Sequence, residues 1–395
     1  MTFGPMPIAN GFLPPDELDG EHFFELEPAF CENCCTFQIV TQPDAAMMFH
    51  EGYAFQTRTS EAMKRHFSEY GDWLRQNYVD AEGFIVEIGS NDGVMLETFA
   101  KKDIRHLGVE PSANVAEIAR SFGVECVTEF FSSEAAERIR ASHGPADAIA
   151  AANVMCHIPD MPDIAAAAAI LLAERGVLVF EEPYLGDMVR LCSFDQIYDE
   201  HVFIFSALSV SNAFSQAGLE LIDVLPQVTH GGSMRYVLAR KGVRNVAPAV
   251  EALLTQERAL GLDRAATFGA FRARCEEKKK DLRELLITLK AEGKRVAGYG
   301  ATSKSTTMLN YAGIGPDLIE FISDSTPIKQ GKVTPGTHVP VDHPDRFHAD
   351  LPDYALLLAW NHKAEIMKKE TAFLKNGGHW IVYVPEVALI GPDSQ

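Results

Sequence analysis

The chain has 395 residues, 47% of them hydrophobic and 23% charged, which is the balance of an ordinary soluble protein with two or three domains. A net charge of −20 argues against grip on a nucleic-acid backbone, though a local pocket can still take a small anion. Seven cysteines, an odd number, in a chain with no basic-then-apolar leader and no apolar run long enough for a membrane helix, exclude a disulfide framework and point to the cytoplasm.

In chain order, residues 1–50 are rich in proline and acids and carry "CENCC" at Cys31–Cys35, where Cys31 and Cys34 have the spacing of a metal-binding pair or are two ordinary buried thiols. Residues 80–240 alternate short apolar strands with helices, the pattern of a doubly wound parallel sheet. This region starts with "GFIVEIGSNDGVMLETF": a buried strand Phe84–Ile88, a turn Gly89–Gly93, and a helix from Val94. The turn is not the dinucleotide fingerprint. Glu87 before it would repel a pyrophosphate but suits an ammonium. Glu110, ending the next strand "RHLGVEP", can accept hydrogen bonds from two ribose hydroxyls. With Gly89, Asn91, Asp92 and Gly93 between them, these residues suit S-adenosylmethionine, which has an amino-acid end and a ribose but no phosphate; a generic strand–turn–helix is the other reading. "TEFFSS", with Phe130 and Phe131, either flanks the adenine or is a plain loop. Asn153 and His157 of "NVMCHIPD" stand at the carboxyl edge of the fourth strand, where ligands of open α/β sheets bind.

The stretch "SFDQIYDEHVFIFS" sets Tyr198, Asp199, Glu200 and His201 among apolar neighbours. Four adjacent titratable groups there either tie a loop to the sheet or face a reaction. "HGGSMRY", with His230, Gly231, Gly232 and Arg235, reads as a ligand-approach turn or a hairpin. Residues 245–292 are largely helical, with Phe268, Phe271, Cys275, Leu282, Leu285, Leu286 and Leu289 at helical spacing. From Arg295 the strand–helix alternation resumes. In "GYGATSKS", Gly298, Gly300, Ser303 and Lys304 form a strand-to-helix turn that could hold a diphosphate, or is a structural turn beside a solvated lysine; its spacing is not that of a Walker motif. Asp324 ends the following strand, and Trp360, Asn361 and His362 line the same cleft or, for Trp360, the core.

Taken together, "FIVEIGSNDGVML", "HLGVEPS", "ANVMCHIPD", "FEEPYLGDMV", "SFDQIYDEHVF", "HGGSMRY", "GYGATSKS", "DSTPIKQGKVTPG" and "AWNHKAEIM" resemble the sugar C-methyltransferases of deoxysugar biosynthesis. The similarity runs from about Met48 to Val387. It implies a small N-terminal zinc-type module (1–55), a class I methyltransferase Rossmann-like domain (56–243), and a helical connection with a second Rossmann-like, nucleotide-sugar-binding domain (244–395). It implies S-adenosylmethionine as cofactor and methylation of carbon 3 of a dTDP- or GDP-linked 4-keto-6-deoxysugar. The resemblance makes Tyr198 and His201 an acid/base pair; for a reaction beside a ketone, Tyr198 would be the acid/base partner or a donor to the enolate oxygen, Glu200 would orient the imidazole as carboxylates do for catalytic histidines, and His157 would be an electrophile near the keto oxygen. His230, Gly231, Gly232, Arg235, Ser303, Lys304, Asp324 and Asn361 would hold the sugar nucleotide. The family's zinc module takes four cysteines from two pairs. Here one pair remains, so the metal is absent, the start is truncated, or His50 substitutes. O- or N-methylation of a sugar or small metabolite is the alternative activity, a monomer is the preferred state, and neither nucleic acid nor membrane is expected as partner.

Overall fold

The computed structural model describes residues 1–44, 48 and 57–392. His50, the alternative zinc ligand, lies outside the described residues. The N-terminal part forms a two-stranded ribbon of β1 (Pro5–Pro7) and β2 (Phe23–Glu25), followed by β3 (Pro28–Cys31) and β4 (Thr36–Ile39), antiparallel to one another.

The helix Glu61–Asn77 leads into a seven-stranded sheet. Its strands are β5 (Phe84–Ile88), β6 (Arg105–Val109), β7 (Cys126–Val127), β8 (Ala146–Ala152), β9 (Leu172–Pro183), β11 (Leu219–Gln227) and β12 (Ser233–Arg240); β10 (Phe203–Ile204) pairs elsewhere. The order across the sheet is β7-β6-β5-β8-β9-β12-β11. The strands β5 to β9 run parallel, and β12 slots in antiparallel to both β9 and β11. Residues Phe84–Ile88 are buried throughout, as a central parallel strand requires. The helix expected from Val94 starts only at Glu97 and spans Glu97–Ala100. The Thr98 hydroxyl donates to the Met95 carbonyl at 2.8 Å, a local bond that competes with regular helix there.

The helical connection is two helices, Pro248–Ala259 and Ala265–Ala291. The second buries Phe268, Phe271, Cys275, Leu282, Leu286 and Leu289. A second sheet follows, with β13 (Val296–Tyr299), β14 (Ile322–Ser323), β15 (Val341–Asp342), β16 (Tyr354–Leu357), β17 (His379–Val382) and β18 (Ala388–Ile390) in the order β15-β14-β13-β16-β17-β18. All its pairs are parallel except β17 with β18. Counted from β13 this is the order 3-2-1-4-5-6 of a dinucleotide-type doubly wound sheet.

One feature positions the site. The segment after Tyr198 leaves the seven-stranded sheet: β10 pairs with β4 of the N-terminal part. The residues Asp195–His201 are thereby clamped between three parts of the chain. No helix among the described residues is long and apolar enough to cross a membrane.

Candidate active site

Two strand-to-helix turns and the clamped segment carry most of the candidate site residues. At the first, Glu87, Asp92 and Glu110 converge. Glu87 is buried and its Oε2 meets no partner; burial raises its pKa well above the usual carboxylate range, and the charges of Asp92 and Glu110 raise it further. Glu110 accepts from the Ser112 N–H at 2.8 Å and the Asn91 N–H at 2.9 Å, which fixes the carboxylate across the turn. Asp92 Oδ2 accepts from the Arg58 N–H at 2.8 Å, and Asn91 Oδ1 from the Thr57 N–H at 3.1 Å. Gly89 has φ +64°, and a Cβ there would lie 2.4 Å from Val154 Cγ2, so only glycine makes this turn. A carboxylate-rich pocket with an unpartnered buried oxygen fits a ligand that carries positive charge and ribose hydroxyls, as S-adenosylmethionine does. Of the two phenylalanines expected at the adenine, Phe130 is 60% exposed, whereas Phe131 belongs to the core around Ile149 and Met161. Asn153, at φ +55°, donates its N–H to the Glu181 carbonyl.

The second turn, after β13, sends Lys304 inward. The side chain is buried, lies over the Trp360 ring at 5.2 Å, and has its charge set against Asp195. Burial lowers its pKa to about 8. Lys304 is therefore not the solvated lysine of the simpler sequence reading. Ser303 instead donates to Asn10 Oδ1 at 2.9 Å. Asp324 accepts from the N–H groups of Ala301 and Thr326, both at 2.7 Å, so it braces this turn. Gly300, at φ +86°, packs on Ala359.

The clamped segment carries the Tyr198–His201 pair. His201 Nδ1 lies 2.8 Å from the Gln196 carbonyl, which can only accept, so Nδ1 carries the proton and Nε2 the lone pair. The Tyr198 hydroxyl donates to that Nε2 at 2.8 Å. Burial holds the His201 pKa well below the usual histidine range, and the neighbouring His157 adds to the effect. The His157 ring stacks on His201 with centroids 5.4 Å apart and is itself lowered by burial to about 4. Both rings are thus neutral at physiological pH.

Several expectations are corrected. Gln196, not Glu200, orients the imidazole; Glu200 instead accepts from Asn10 Nδ2 at 2.7 Å. The guanidinium of Arg235 is taken up by Glu181 at 2.9 Å and by the Tyr70 ring at 3.7 Å, which leaves it no reach to a substrate. Gly231 and Gly232 are glycines because protein, not ligand, approaches them: a Cβ would lie 2.3 Å from Trp360 and 2.3 Å from Asp187. His230, at φ +55°, borders this contact and offers its carbonyl to Lys304 at 3.4 Å. Asn361 follows Trp360 in a short 3-10 turn at the same junction.

Other residues of the site carry no local sequence signal. Asn10 links Glu200 to Ser303, and the Ala9 N–H donates to Asp199 Oδ1 at 3.0 Å, so the N-terminal segment straps the Tyr198–His201 stretch. Glu182 Oε1 gathers the N–H groups of Val154, Met155 and Cys156 and shapes the loop carrying His157; burial raises its pKa to about 7. At the zinc-type module the Cys34 N–H and thiol lower the Cys31 pKa, so the two sulfurs adjoin. Among the described residues no further ligand joins them, and structural zinc takes four. A zinc ion does not fit these residues by themselves.

A parallel sheet with an antiparallel strand inserted next to its edge, and acidic groups at the first two strand ends, defines a class I S-adenosylmethionine-dependent methyltransferase. Residues 56–224 match the family model "Methyltransferase domain", 228–385 match "C-methyltransferase C-terminal domain", and 1–49 match "Putative zinc binding domain". The chain is 35% identical to the C-methyltransferase NovU of Streptomyces niveus over 399 residues, covering 100% of this chain and 94% of the relative. The chain belongs to the S-adenosylmethionine-dependent sugar C-methyltransferase family. Solved structures with similarity include magnesium protoporphyrin IX methyltransferase of Synechocystis PCC 6803, at 13% identity and TM-score 0.36 over 45% of this chain and 83% of that one. The CcbJ methyltransferase of Streptomyces caelestis follows at 13% and 0.35 over 44% and 89%.

Proposed function

We propose that this methyltransferase acts on carbon 3 of a nucleotide-linked 4-keto-6-deoxysugar. The observation that carries the reading is the buried Tyr198–His201 pair, whose neutral imidazole keeps its lone pair on Nε2. Alkylating carbon needs a carbanion, and a C–H bond beside a ketone is acidic enough for a positioned base if the enolate oxygen is stabilised. Glu87 and Glu110 would hold S-adenosylmethionine, which would supply a methyl group activated by its sulfonium.

The residues of the chain divide the remaining work. The proton leaves carbon 3 either directly to His201 Nε2 or to the Tyr198 oxygen as its hydroxyl proton passes to Nε2. In both cases one proton is added to His201, which the Gln196 carbonyl holds in orientation; in the second the proton from carbon 3 itself replaces the one that Tyr198 has given up. Lys304 faces the same space with a charge that can balance the enolate. The burial of all these groups excludes bulk water, which would otherwise reprotonate the carbanion. His157 lies beside the pair as a polar neighbour for the keto oxygen.

The experiment is turnover in heavy water with S-adenosylmethionine and freshly prepared dTDP- and GDP-linked 4-keto-6-deoxysugars, read by mass spectrometry and NMR. One methyl gained at carbon 3 is expected, with deuterium entering carbon 3 when the cofactor is left out. A methyl found on oxygen or nitrogen, without carbon exchange, would replace this reading with heteroatom methylation.

A further inference from the structure

We infer that the catalytic centre doubles as a binding site for a zinc-like divalent ion, held by Cys156, His157 and His201, and that the ion shuts the enzyme off. One ligand atom from each of these residues lies within 4.8 Å of the other two. A thiolate and two imidazoles are the donor set of zinc and its neighbours in the first transition row, and three protein ligands leave a fourth position for solvent. A tetrahedral site needs such donors about 3.3–3.6 Å apart. The donor atoms would therefore close on one another by up to about 1.5 Å on binding.

The surroundings favour the ion. His201 donates Nδ1–H to the Gln196 carbonyl, the arrangement that aims the other ring nitrogen of a ligating histidine at a metal. Glu182 lies next to Cys156 and accepts a hydrogen bond from its thiol, and Glu200 adds to the negative field at the thiol. That field disfavours a lone thiolate and favours a dication that brings the thiolate with it. On binding, the Cys156 thiol proton leaves to solvent, the sulfur–metal bond forms, and nothing is oxidised. The ion would occupy the lone pair on His201 Nε2 and displace the Tyr198 hydroxyl now bonded there. A cysteine that the reaction does not use thus sits where it can turn the base into a ligand.

This inference rests on His201 being the base, and the test separates the two. Protein dialysed against a chelator is titrated with Co²⁺, watched for d–d and thiolate-to-cobalt charge-transfer bands, and with Zn²⁺, watched by calorimetry and by turnover. The expected result is full activity after chelation, loss of activity on adding Zn²⁺, and recovery with chelator. The Cys156→Ser variant should keep its activity, lose the charge-transfer band, and need about tenfold more Zn²⁺ for half inhibition. Cys156→Ala serves if the serine variant fails to fold. A Cys31→Ser/Cys34→Ser protein should be inhibited like the parent, which removes the N-terminal thiols from the account. If chelation abolishes turnover and Zn²⁺ restores it, or if binding and inhibition do not depend on Cys156, the inference is overturned and the base reading stands on its own tests. If the ion binds through Cys156 but turnover continues, the metal site survives and His201 is not the base.

Discussion

The two glycine turns of this chain look alike in sequence and are opposite in chemistry. After β5, "EIGSNDG" brings together carboxylates with raised pKa values and no lysine; after β13, "GYGATSK" buries a lysine whose pKa is lowered. Both are strand–turn–helix units with a positive-φ glycine. The fold sets the backbone at such a turn, and the one or two charged side chains beside it decide what it receives. The first turn suits a cation with a ribose. The second brings its lysine to Asp195 and the His230 carbonyl, which belong to the part of the chain before the second sheet.

The largest expected effect tests the Tyr198–His201 pair, which both turns are proposed to serve. His201→Ala should lower kcat by about 10²–10⁴-fold while S-adenosylmethionine binds as before, because the base is removed and the first turn is untouched. Calorimetry for the cofactor and a turnover assay check both halves; near-normal kcat would take His201 out of the proton transfer. Lys304→Met comes next. If Lys304 stabilises the enolate, kcat falls by about 10²-fold with cofactor affinity unchanged. If instead it grips a diphosphate, as its sequence context first suggests, KM for the sugar nucleotide rises and kcat holds. Either split decides whether the second turn differs from the first in role as well as in charge. Glu110→Gln should weaken cofactor binding by about 10–100-fold and leave kcat at saturating cofactor nearly intact, since it removes a charged acceptor far from the proton transfer.

These contrasts also show what was legible from the residues alone. The strand Phe84–Ile88, the placement of Glu87 and Glu110 at strand ends, and the adjacency of Tyr198 and His201 follow from local pattern, because alternation, turn chemistry and neighbours in sequence are local quantities. The roles of Gly231 and Arg235 were not legible. Gly231 is defined by Trp360, and Arg235 by Glu181 on the neighbouring strand. Asn10 reaches Glu200 across 190 positions of sequence. Such pairings depend on how the N-terminal ribbon, the central sheet and the C-terminal sheet dock, and no periodicity within any one of them records it. Lys304 was legible as a lysine at a turn, but its burial beside Asp195 and the His230 carbonyl, far off in sequence, was not.

The smallest expected effect is on stability, and it has opposite signs at the two turns. An acid whose folded pKa is raised binds protons in the native state that the unfolded chain has released, so Glu87 makes stability fall as pH rises above its unfolded value of about 4.3. A lysine whose folded pKa is lowered does the reverse. Between about 8 in the folded protein and about 10.4 unfolded, the unfolded chain holds the extra proton, so Lys304 makes stability rise with pH across that window. Urea midpoints measured from pH 5 to pH 10 on the parent, Glu87→Gln and Lys304→Met isolate each contribution. The parent should lose ground relative to Glu87→Gln as pH climbs from 5, and gain ground relative to Lys304→Met only above pH 8. Parallel curves for Lys304→Met above pH 8 would mean that the lysine is solvated and paired with water, and the contrast between the two turns would then be one of sequence alone.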